Sequence, residues 1–256
     1  MKKKDLFTIL ENISLPDQDF MLKVRPQNSS LDEVRPGQFV NLLIPDSSDT
    51  FLRRPISVCD IDRQAGVLTL YIKKVGKGTR HLGTRKAGDS LDILFPLGNG
   101  FDYEGVKHPL LLGGGAGIAP MVYLSKEIRK TGVRPQVLLA GKTAEALELR
   151  HLFGESPALC TDDGSLGEKG LITQHPLMRE LQVYDRIFCC GPTPMMKAVA
   201  RLAESAGVPC MVSMENTMAC GLGACLCCIT PTEHHGNQCV CTEGPVFDSR
   251  ELKHFH

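Results

Sequence analysis

Short apolar runs recur along the N-terminal part of the chain, and turn-forming residues separate them. The runs lie at residues 39–44, 56–58, 67–73 and 91–95, with Pro, Gly and Asp between them. Runs that repeat about every ten residues are typical of strands in an antiparallel barrel or sandwich. The Leu-Gly-Asn-Gly sequence at residues 97–100 predicts a turn that closes this β-rich region, which extends from Phe7 to about Phe101.

The pattern changes near residue 109, where predicted strands begin to alternate with predicted helices. Apolar runs predict strands over residues 109–112, 137–140, 158–161 and 186–190. Helices are predicted over residues 119–131, 145–152 and 194–205. Alternation of this kind indicates a parallel sheet with helices packed on it.

Periodicity fades from Met211 onward, where the chain becomes rich in cysteine and is expected to be loop-like. We therefore predict three domains: a β-barrel over residues 1–103, an α/β domain over 104–210 and a small cysteine-rich domain over 211–256. We find no internal repeat and no low-complexity linker.

The balance of acidic and basic residues limits the kinds of partner that we expect for this chain. The chain has 29 Lys and Arg residues against 29 Asp and Glu residues, which gives a formal net charge of zero. This balance argues against nucleic acid or a membrane surface as the main partner. The basic start at Lys2–Lys4 lacks the apolar core of a signal peptide, and no apolar run reaches the roughly 18 residues needed to span a bilayer. We expect a cytoplasmic protein.

The cysteines are concentrated near the C-terminus. Seven of the eleven lie between Cys210 and Cys241, and such clustering favours metal ligation over disulfides. Cys220, Cys225 and Cys228 have C-x4-C-x2-C spacing, and Cys241 follows. This is the order of ligands in plant-type [2Fe–2S] proteins, where one loop supplies three thiolates and a later segment supplies the fourth.

Two alternatives stay open at this cluster. Cys239 competes with Cys241 for the fourth position, and spacing does not decide between them. A zinc site is the other interpretation, because His234 and His235 lie nearby, although the C-x4-C arm is unusual for zinc. We expect both histidines to be solvated loop residues.

Two motifs in the β-rich region favour a flavin. Arg54 can pair with a pyrophosphate, and the hydroxyl of Ser57 can hydrogen-bond a flavin ring. The alternative is an ordinary edge strand on which Arg54 is a surface residue without a ligand. The glycine-rich turn at residues 76–79 opens a predicted helix and suits a phosphate.

Further motifs follow strands of the α/β region. Residues 113–120, Gly-Gly-Gly-Ala-Gly-Ile-Ala-Pro, lie between a strand and a helix, where backbone amides can receive a pyrophosphate. The alternative is a tight turn that requires small residues. Cys190, Gly191 and Pro192 follow the last strand, so Cys190 is a candidate neighbour of a nicotinamide, whereas Cys189 is expected to be buried. Residues 161–165 either contact the nucleotide or form an Asx turn.

Together, these motifs resemble those of ferredoxin–NADP reductase-type flavoproteins with an appended iron–sulfur domain. The chain is most similar to the electron-transfer subunits of class 1B dihydroorotate dehydrogenases, and the similarity covers nearly its whole length. Residues 218–225, Met-Ala-Cys-Gly-Leu-Gly-Ala-Cys, and residues 240–247, Val-Cys-Thr-Glu-Gly-Pro-Val-Phe, are the most specific parts. Cys227 departs from the pattern, because a small unreactive residue is expected there.

The resemblance implies FAD in the barrel, NAD in the α/β domain and a [2Fe–2S] cluster in the last domain. It also implies a set of site residues. Contacts to FAD would come from Arg54, Pro55, Ile56, Ser57, Tyr71, Ile72, Lys73, Gly78 and Thr79. Contacts to the nucleotide would come from Gly113, Gly114, Gly115, Ala116, Gly117, Cys190, Gly191 and Pro192. The cluster ligands would be Cys220, Cys225, Cys228 and Cys241.

The implied function is a redox relay in pyrimidine biosynthesis. A partner subunit with FMN would oxidise dihydroorotate, and electrons would pass through the cluster and FAD to NAD⁺, in a heterotetramer. No residue is nominated as a general acid or base. One alternative is a reductase subunit of a sulfide dehydrogenase, hydrogenase or transhydrogenase-type complex, and another is a zinc-stabilised scaffold. Lys142 leaves a preference for NADP open.

Overall fold

The N-terminal region forms a closed antiparallel barrel. The computed structural model describes residues 1–16, 19–47 and 49–255. Six strands form the barrel in the order β1-β2-β5-β4-β3-β6. They are β1 (Lys3–Ser14), β2 (Phe20–Pro26), β3 (Phe39–Leu42), β4 (Arg54–Asp62), β5 (Val67–Ile72) and β6 (Ser90–Leu97). The short helix α1 (Lys77–Leu82) lies between β5 and β6.

The barrel closes around a core of alternating apolar residues. Phe7 on β1 and Phe95 on β6 meet edge to face, with ring centroids 4.9 Å apart. Both are fully buried, because β1 and β6 pair along their length and direct the same face inward. The predicted barrel is therefore confirmed.

The α/β region is built on a seven-stranded sheet with the order β10-β9-β8-β7-β11-β12-β15. Its parallel strands are β7 (Pro109–Gly114), β8 (Gln136–Gly141), β9 (Ala158–Thr161), β10 (Glu168–Lys169), β11 (Arg186–Cys190) and β12 (Cys210–Ser213). Two helices accompany them, α2 (Ile118–Lys130) and α3 (Thr193–Ser205). Short 3₁₀ helices lie at Gly115–Gly117, Ile172–Gln174, Pro176–Met178, Leu181–Val183 and Ser249–Glu251.

One predicted helix of this region has a different form. A helix is present where one was predicted over residues 145–152, but Ala144–Phe153 is a 3₁₀ segment with a kink at Leu147. Leu147, Leu149 and Phe153 are its buried residues. Their spacing does not place them on one face of an α-helix. Burial of all three side chains therefore favours a kinked 3₁₀ segment over a regular α-helix.

The C-terminal segment is not purely loop-like, as its sequence pattern suggests. It contains a small hairpin of β13 (Ile229–Pro231) and β14 (Asn237–Cys239). The last strand, β15 (Val246–Asp248), pairs antiparallel with β12 and completes one edge of the large sheet. Strands of three residues have too little periodicity to be detected from the sequence. The predicted boundary between residues 210 and 211 falls within β12.

Contacts on α2 join the barrel to the α/β region. Tyr123 is fully buried, and its hydroxyl donates to the carbonyl oxygen of Val34 at 2.9 Å. Lys126 donates to both carboxylate oxygens of Asp60 on β4, at 2.8 and 2.9 Å. These contacts fix the barrel over the sheet. Among the described residues, no helix has the length and apolar character to cross a membrane.

Candidate functional site

A cavity of about 400 Å³ lies where the barrel, the sheet and the C-terminal segment meet. All three parts contribute to its wall. Predicted site residues in the wall are Arg54, Pro55, Ile56, Ser57, Tyr71, Lys73, Thr79 and Ala116. Further residues in the wall, which sequence reasoning missed, are Phe39, Val75, Ala119, Met214, Glu215, Asn216, Met218 and Pro245.

Arg54 and Gly78 are in close contact at the barrel side of the cavity. A Cβ atom on Gly78 would lie 2.8 Å from Arg54 Nε, so only glycine allows this approach. Gly78 and Thr79 belong to α1, and Thr79 Oγ1 accepts from the Gly76 N–H at 3.1 Å. The two flavin motifs therefore form one surface, as their resemblance to a flavoprotein implies.

β5 presents alternate residues to the cavity and to the barrel core. Tyr71 and Lys73 line the cavity, whereas Ile72 is buried among the apolar residues of the barrel. Only main-chain atoms of Ile72 are therefore left for a ligand. The buried carboxylate of Asp19 accepts from the Tyr71 hydroxyl and lies 3.5 Å from Lys73 Nζ. Asp19 thus fixes both side chains, and no local sequence signal identifies it.

The glycine-rich segment and the Cys190 segment meet at the carboxyl ends of two neighbouring strands. In the register of β7 and β11, Gly113 lies opposite Cys190. A Cβ on Gly117 would lie 2.3 Å from the carbonyl carbon and oxygen of Cys190, so glycine is required there. The strand order reverses at this point of the sheet, which is where open α/β sheets bind their ligands.

Gly114 and Gly191 pack around one methionine next to this junction. Added Cβ atoms would lie 2.4 Å from the Met195 sulfur at Gly114 and 2.8 Å from its methyl carbon at Gly191. Pro192 caps the N-terminus of α3. Gly115 has a φ of +54°, and a Cβ there would meet nothing within 4 Å. The segment therefore leaves open space beside Ala116, which lines the cavity.

The Cys190 thiol is buried rather than displayed. It donates to the Ser213 carbonyl oxygen at 3.5 Å, and burial, together with the charge of Glu215, raises its pKa to about 12. Cys190 is therefore a neutral thiol at physiological pH. Cys189 is also buried, as expected from its position on a central strand. Glu215 reaches solvent at the cavity mouth, yet desolvation by the surrounding protein raises its pKa.

The turn after β9 is held by its own hydrogen bonds. Asp163 Oδ1 accepts from the Ser165 N–H at 2.9 Å, and Ser165 Oγ accepts from the Ala144 N–H at 2.8 Å. This is the Asx-turn interpretation of residues 161–165. Lys142, at the end of β8, is exposed.

The four candidate iron ligands form two pairs. Cys220 Sγ accepts from the Cys225 N–H at 3.4 Å and also contacts the Cys225 thiol. The thiols of Cys228 and Cys241 contact each other. A [2Fe–2S] centre takes four thiolates in total, so two pairs of cysteines suit its two irons.

The loop around Cys220 is built to stabilise a thiolate. Burial opposes ionisation of Cys220, but N–H groups of Leu222, Cys225 and Ala224 act in the other direction and lower its pKa to about 6. The Leu222 N–H lies 3.3 Å from Sγ. Gly221 and Gly223 have φ values of +70° and +86°, which let the backbone curl around the sulfur. Thiolates are the form that binds iron, so the N–H groups around Cys220 fit the group, whereas burial and the neighbouring Cys228 raise the pKa of Cys241 to about 12.

The structure distinguishes Cys239 from Cys241. Cys241 is fully buried and contacts the Cys228 thiol and the Gly223 N–H, so it lies between the two arms of the loop. Cys239 is also buried, and its thiol contacts both the Cys228 thiol and the Thr242 side chain. Cys227 is exposed. This arrangement favours Cys241 as the fourth ligand, although the assignment stays a prediction.

A structural zinc site needs four ligands around one ion. Among the described residues, no group of three or more His, Cys, Asp or Glu side chains converges closely enough to hold a single metal ion. The four candidate cysteines form no such group either, so this absence does not decide between zinc and iron.

Solved structures share this architecture. The structure titled "Insights into flavin-based electron bifurcation via the NADH-dependent reduced ferredoxin-NADP oxidoreductase structure" is 30% identical, with a TM-score of 0.85 over 96% of this chain and 89% of that chain. Phthalate dioxygenase reductase is 16% identical, with a TM-score of 0.65 over 89% of this chain and 86% of that chain, which shows the fold alone.

Sequence comparisons are more specific. A family model for the iron–sulfur cluster binding domain of dihydroorotate dehydrogenase B matches residues 215–253. Electron transfer subunits of dihydroorotate dehydrogenase B (NAD(+)) are similar along the chain. The subunit of Fusobacterium nucleatum is 35% identical over 99% of both chains. That of Clostridium acetobutylicum is 39% identical over 95% of both. This chain therefore belongs to the family of dihydroorotate dehydrogenase B (NAD(+)) electron transfer subunits.

Proposed function

We propose that this chain relays electrons from an FMN-containing dihydroorotate dehydrogenase subunit through a [2Fe–2S] cluster and FAD to NAD⁺, in the synthesis of UMP. The observation that carries the proposal is the shared cavity. Its wall combines the flavin segment at Arg54–Ser57, the end of the glycine-rich segment at Ala116 and the residues that lead into the cysteine loop. Family membership supports the oxidoreductase class and this set of cofactors.

The barrel residues would bind and orient the flavin. When bound, a flavin exchanges a hydride with nicotinamide and single electrons with an iron–sulfur centre. Arg54 supplies positive charge for the pyrophosphate, and Ser57 supplies a hydroxyl for the ring. The buried contact of Tyr71 with Asp19 holds the phenol ring in the cavity wall. No side chain is required to move a proton.

The sheet residues would hold the nicotinamide nucleotide. Gly115 and Ala116 are partly exposed just beyond β7, and Cys190, Gly191 and Pro192 lie at the end of the neighbouring strand β11. Because the Cys190 thiol is buried and bonded to Ser213, we assign Cys190 only a main-chain contact with the nucleotide. The exposed side chain of Lys142 leaves discrimination between NAD and NADP to be measured, and the names of the relatives favour NAD.

An apolar surface beside the cysteine loop supports a partner subunit. Leu222, Leu226 and Ile229 are exposed there, and Leu226 is 59% exposed with a φ of +57°. Grouped exposed apolar residues mark interaction sites. This surface is proposed to face the FMN-containing subunit in a heterotetramer. The cytoplasmic location stays a prediction.

Co-purification under anaerobic conditions tests the proposal. We expect the chain and an FMN-dependent dihydroorotate dehydrogenase subunit to form a complex that contains iron, sulfide, FMN and FAD. This complex should reduce NAD⁺ with dihydroorotate, whereas the FMN subunit alone should not. Leu226→Glu is expected to weaken the complex several-fold. Leu171→Glu is the matched control, because Leu171 is 57% exposed and lies far from the cysteine loop in the chain.

A second function is favoured by one observation. The NADH-dependent reduced ferredoxin–NADP oxidoreductase structure superposes over nearly the whole chain. A reductase subunit of that type would transfer electrons between ferredoxin and nicotinamide nucleotides. Activity with reduced ferredoxin, together with no NAD⁺ reduction by dihydroorotate, would replace the first function with this one.

A further inference from the structure

Asn41 is a buried polar residue between the flavin segment and the cysteine loop. It lies on β3, opposite Pro55 of β4 in the strand register. Its neighbours Val40 and Leu42 face the barrel core, so Asn41 faces outward from the barrel. Its side chain is nevertheless fully buried, because the C-terminal segment covers this face.

The covering segment is the turn that carries Cys220. Asn41 Nδ2 donates to the Cys220 carbonyl oxygen at 3.4 Å, a long hydrogen bond. Packing adds to it, because a Cβ on Gly221 would lie 2.7 Å from Nδ2 and 3.5 Å from a methyl carbon of Leu97. One side chain therefore joins the flavin-bearing strands to the main chain of a candidate iron ligand.

The backbone of Asn41 is itself fixed from the flavin side. Arg53, which immediately precedes the flavin segment, donates to the Asn41 carbonyl oxygen at 3.2 Å. The same guanidinium bonds the Asp92 side chain at 2.8 Å. Asn41 is thus tied to both partners of β3, and a shift of β4 would be transmitted to it.

Packing alone does not account for an asparagine at this position. Asn41 Oδ1 is buried and has no hydrogen-bond partner among the described residues. A buried acceptor without a partner is destabilising, and a leucine of similar size would avoid that cost. The carboxamide is a dipole held in a poorly solvated place beside the loop of Cys220, where electrostatic effects are strong.

We propose that Asn41 is a positioning residue for electron exchange between the flavin and the cluster. It holds the Cys220 turn against β3 and β4, and its carboxamide dipole tunes the cluster. The inference rests on the proposed function only in that both cofactors bind this chain. In the step concerned, one electron leaves the reduced cluster and one electron enters the flavin, and Asn41 exchanges no proton.

The test uses the full chain with FAD and cluster bound, in three variants. Asn41→Leu keeps the size and removes the dipole, and Asn41→Asp keeps the shape and adds a negative charge. Asn12→Leu is the control, because Asn12 also donates its amide to backbone carbonyls, at Gly83 and Arg85, within the barrel. The measurements are the cluster midpoint potential, by EPR-monitored dithionite titration, and the rate of cluster reduction by NADH.

We expect Asn41→Leu to keep its flavin, to shift the potential and to slow cluster reduction several-fold. Asn41→Asp should lower the midpoint potential of the cluster below that of the unaltered protein, because a negative charge disfavours an added electron. Asn12→Leu should match the unaltered protein. If Asn41→Leu has the same cluster potential and the same rate of cluster reduction as the unaltered protein, Asn41 only fills space and the proposal is wrong. Dihydroorotate is absent from these measurements, so failure of the proposed partner is a separate result.

A second pair of variants tests the proposed role of Asn41 if Asn41→Leu does not retain iron. Gly221→Ala places a methyl group against Asn41, and Gly223→Ala places one 2.9 Å from Thr242 Cγ2. Both glycines have positive φ, so backbone strain is matched. Asn41→Ala should partly restore the hydrogen-exchange protection of residues 220–223 in Gly221→Ala, but not in Gly223→Ala. Equal effects on both would overturn the proposal.

Discussion

Cys190 and Cys210 of the parallel sheet and Cys220 of the C-terminal loop occupy opposite environments. On β11 and β12, Cys190 and Cys210 are buried among apolar residues, and burial raises the pKa of each thiol to about 12. In the loop, N–H donors lower the pKa of the partly buried Cys220 to about 6. The contrast is specific to Cys220, because burial also raises the pKa of Cys241 to about 12. A buried thiol of the sheet is thus an inert apolar group, whereas Cys220 is a ready thiolate.

The difference lies in how each region satisfies its backbone. Sheet strands use their N–H groups in the ladder, so no donor is left for a sulfur. The loop directs its N–H groups inward, since Gly221 and Gly223 adopt left-handed conformations. The low pKa of Cys220 therefore depends on free backbone donors, which the sheet cysteines lack.

The largest expected effect separates the two candidates for the fourth ligand. Cys241→Ser should lose the cluster, because Cys241 contacts both arms of the loop, whereas Cys239→Ser should retain it. Iron and sulfide per chain after anaerobic purification, with the visible spectrum, measure the outcome.

Cys189→Ser is the control from the sheet, and it should keep full iron content because Cys189 is buried on the central strand β11 and not in the cysteine loop. Loss of iron in Cys239→Ser with retention in Cys241→Ser would reassign the ligand. Loss of iron in Cys189→Ser would show that the two environments are not independent.

An intermediate effect is expected at the sheet end of the cavity. Gly117→Ala forces a methyl group onto the Cys190 backbone, so overpacking should destabilise the fold by about 1–3 kcal/mol and weaken NADH binding. Gly115→Ala meets open space and suffers only the strain of its positive φ, about 1–2 kcal/mol.

Urea unfolding and NADH titration distinguish these two variants, and both should retain their iron. Equal NADH affinity in the two variants would contradict the close contact between the glycine-rich segment and Cys190. Loss of iron in Gly117→Ala would show that the sheet end and the loop are coupled.

The smallest effect concerns Asp248 on β15, which joins the loop region to the sheet. Burial raises the pKa of the Asp248 carboxyl, but the hydrogen bonds and positive charge of Arg250 lower it by more. The pKa of Asp248 therefore lies below its usual value. When a carboxyl has a lower pKa in the folded than in the unfolded protein, it stabilises the fold at pH values above the unfolded-state pKa. This stabilisation is lost as the pH falls through the folded-state pKa. Asp248→Asn keeps the cap on the Ser249–Glu251 turn and loses the ion pair, at a cost of about 0.5 kcal/mol near neutral pH.

Urea unfolding at several pH values measures the difference between Asp248→Asn and the unaltered chain. The difference should shrink as pH falls below about 4, the usual range of an aspartate pKa. A difference that stays constant with pH would remove the ion pair as its cause.

Local patterns were sufficient to predict most of the architecture. The strands of the barrel and sheet follow apolar runs, and three of the four candidate iron ligands follow a spacing contained within one loop. The 3₁₀ form of Ala144–Phe153 could not be predicted, because its three buried side chains are placed by tertiary packing. Strands β13, β14 and β15 were missed because three residues carry no measurable period.

Several site residues required the folded structure. Asp19, Asn41 and Glu215 are single polar residues without a motif, and each acquires its role through partners distant in sequence. Asn41 and Cys220 meet only because β3 and the cysteine loop pack together. A hydrophobic pattern describes which face is buried, but it does not describe which polar atom is buried with it.

The pairing of β12 with β15 alters the modular description of the molecule. Ser213 ends β12 and pairs with Val246, which begins β15, so residues 214–245 leave the sheet and return to the same edge. The iron-binding segment is therefore an insertion in a hairpin connection rather than a terminal appendage. Because both ends of this insertion lie on one edge of the sheet, a short turn in its place is expected to leave the sheet intact.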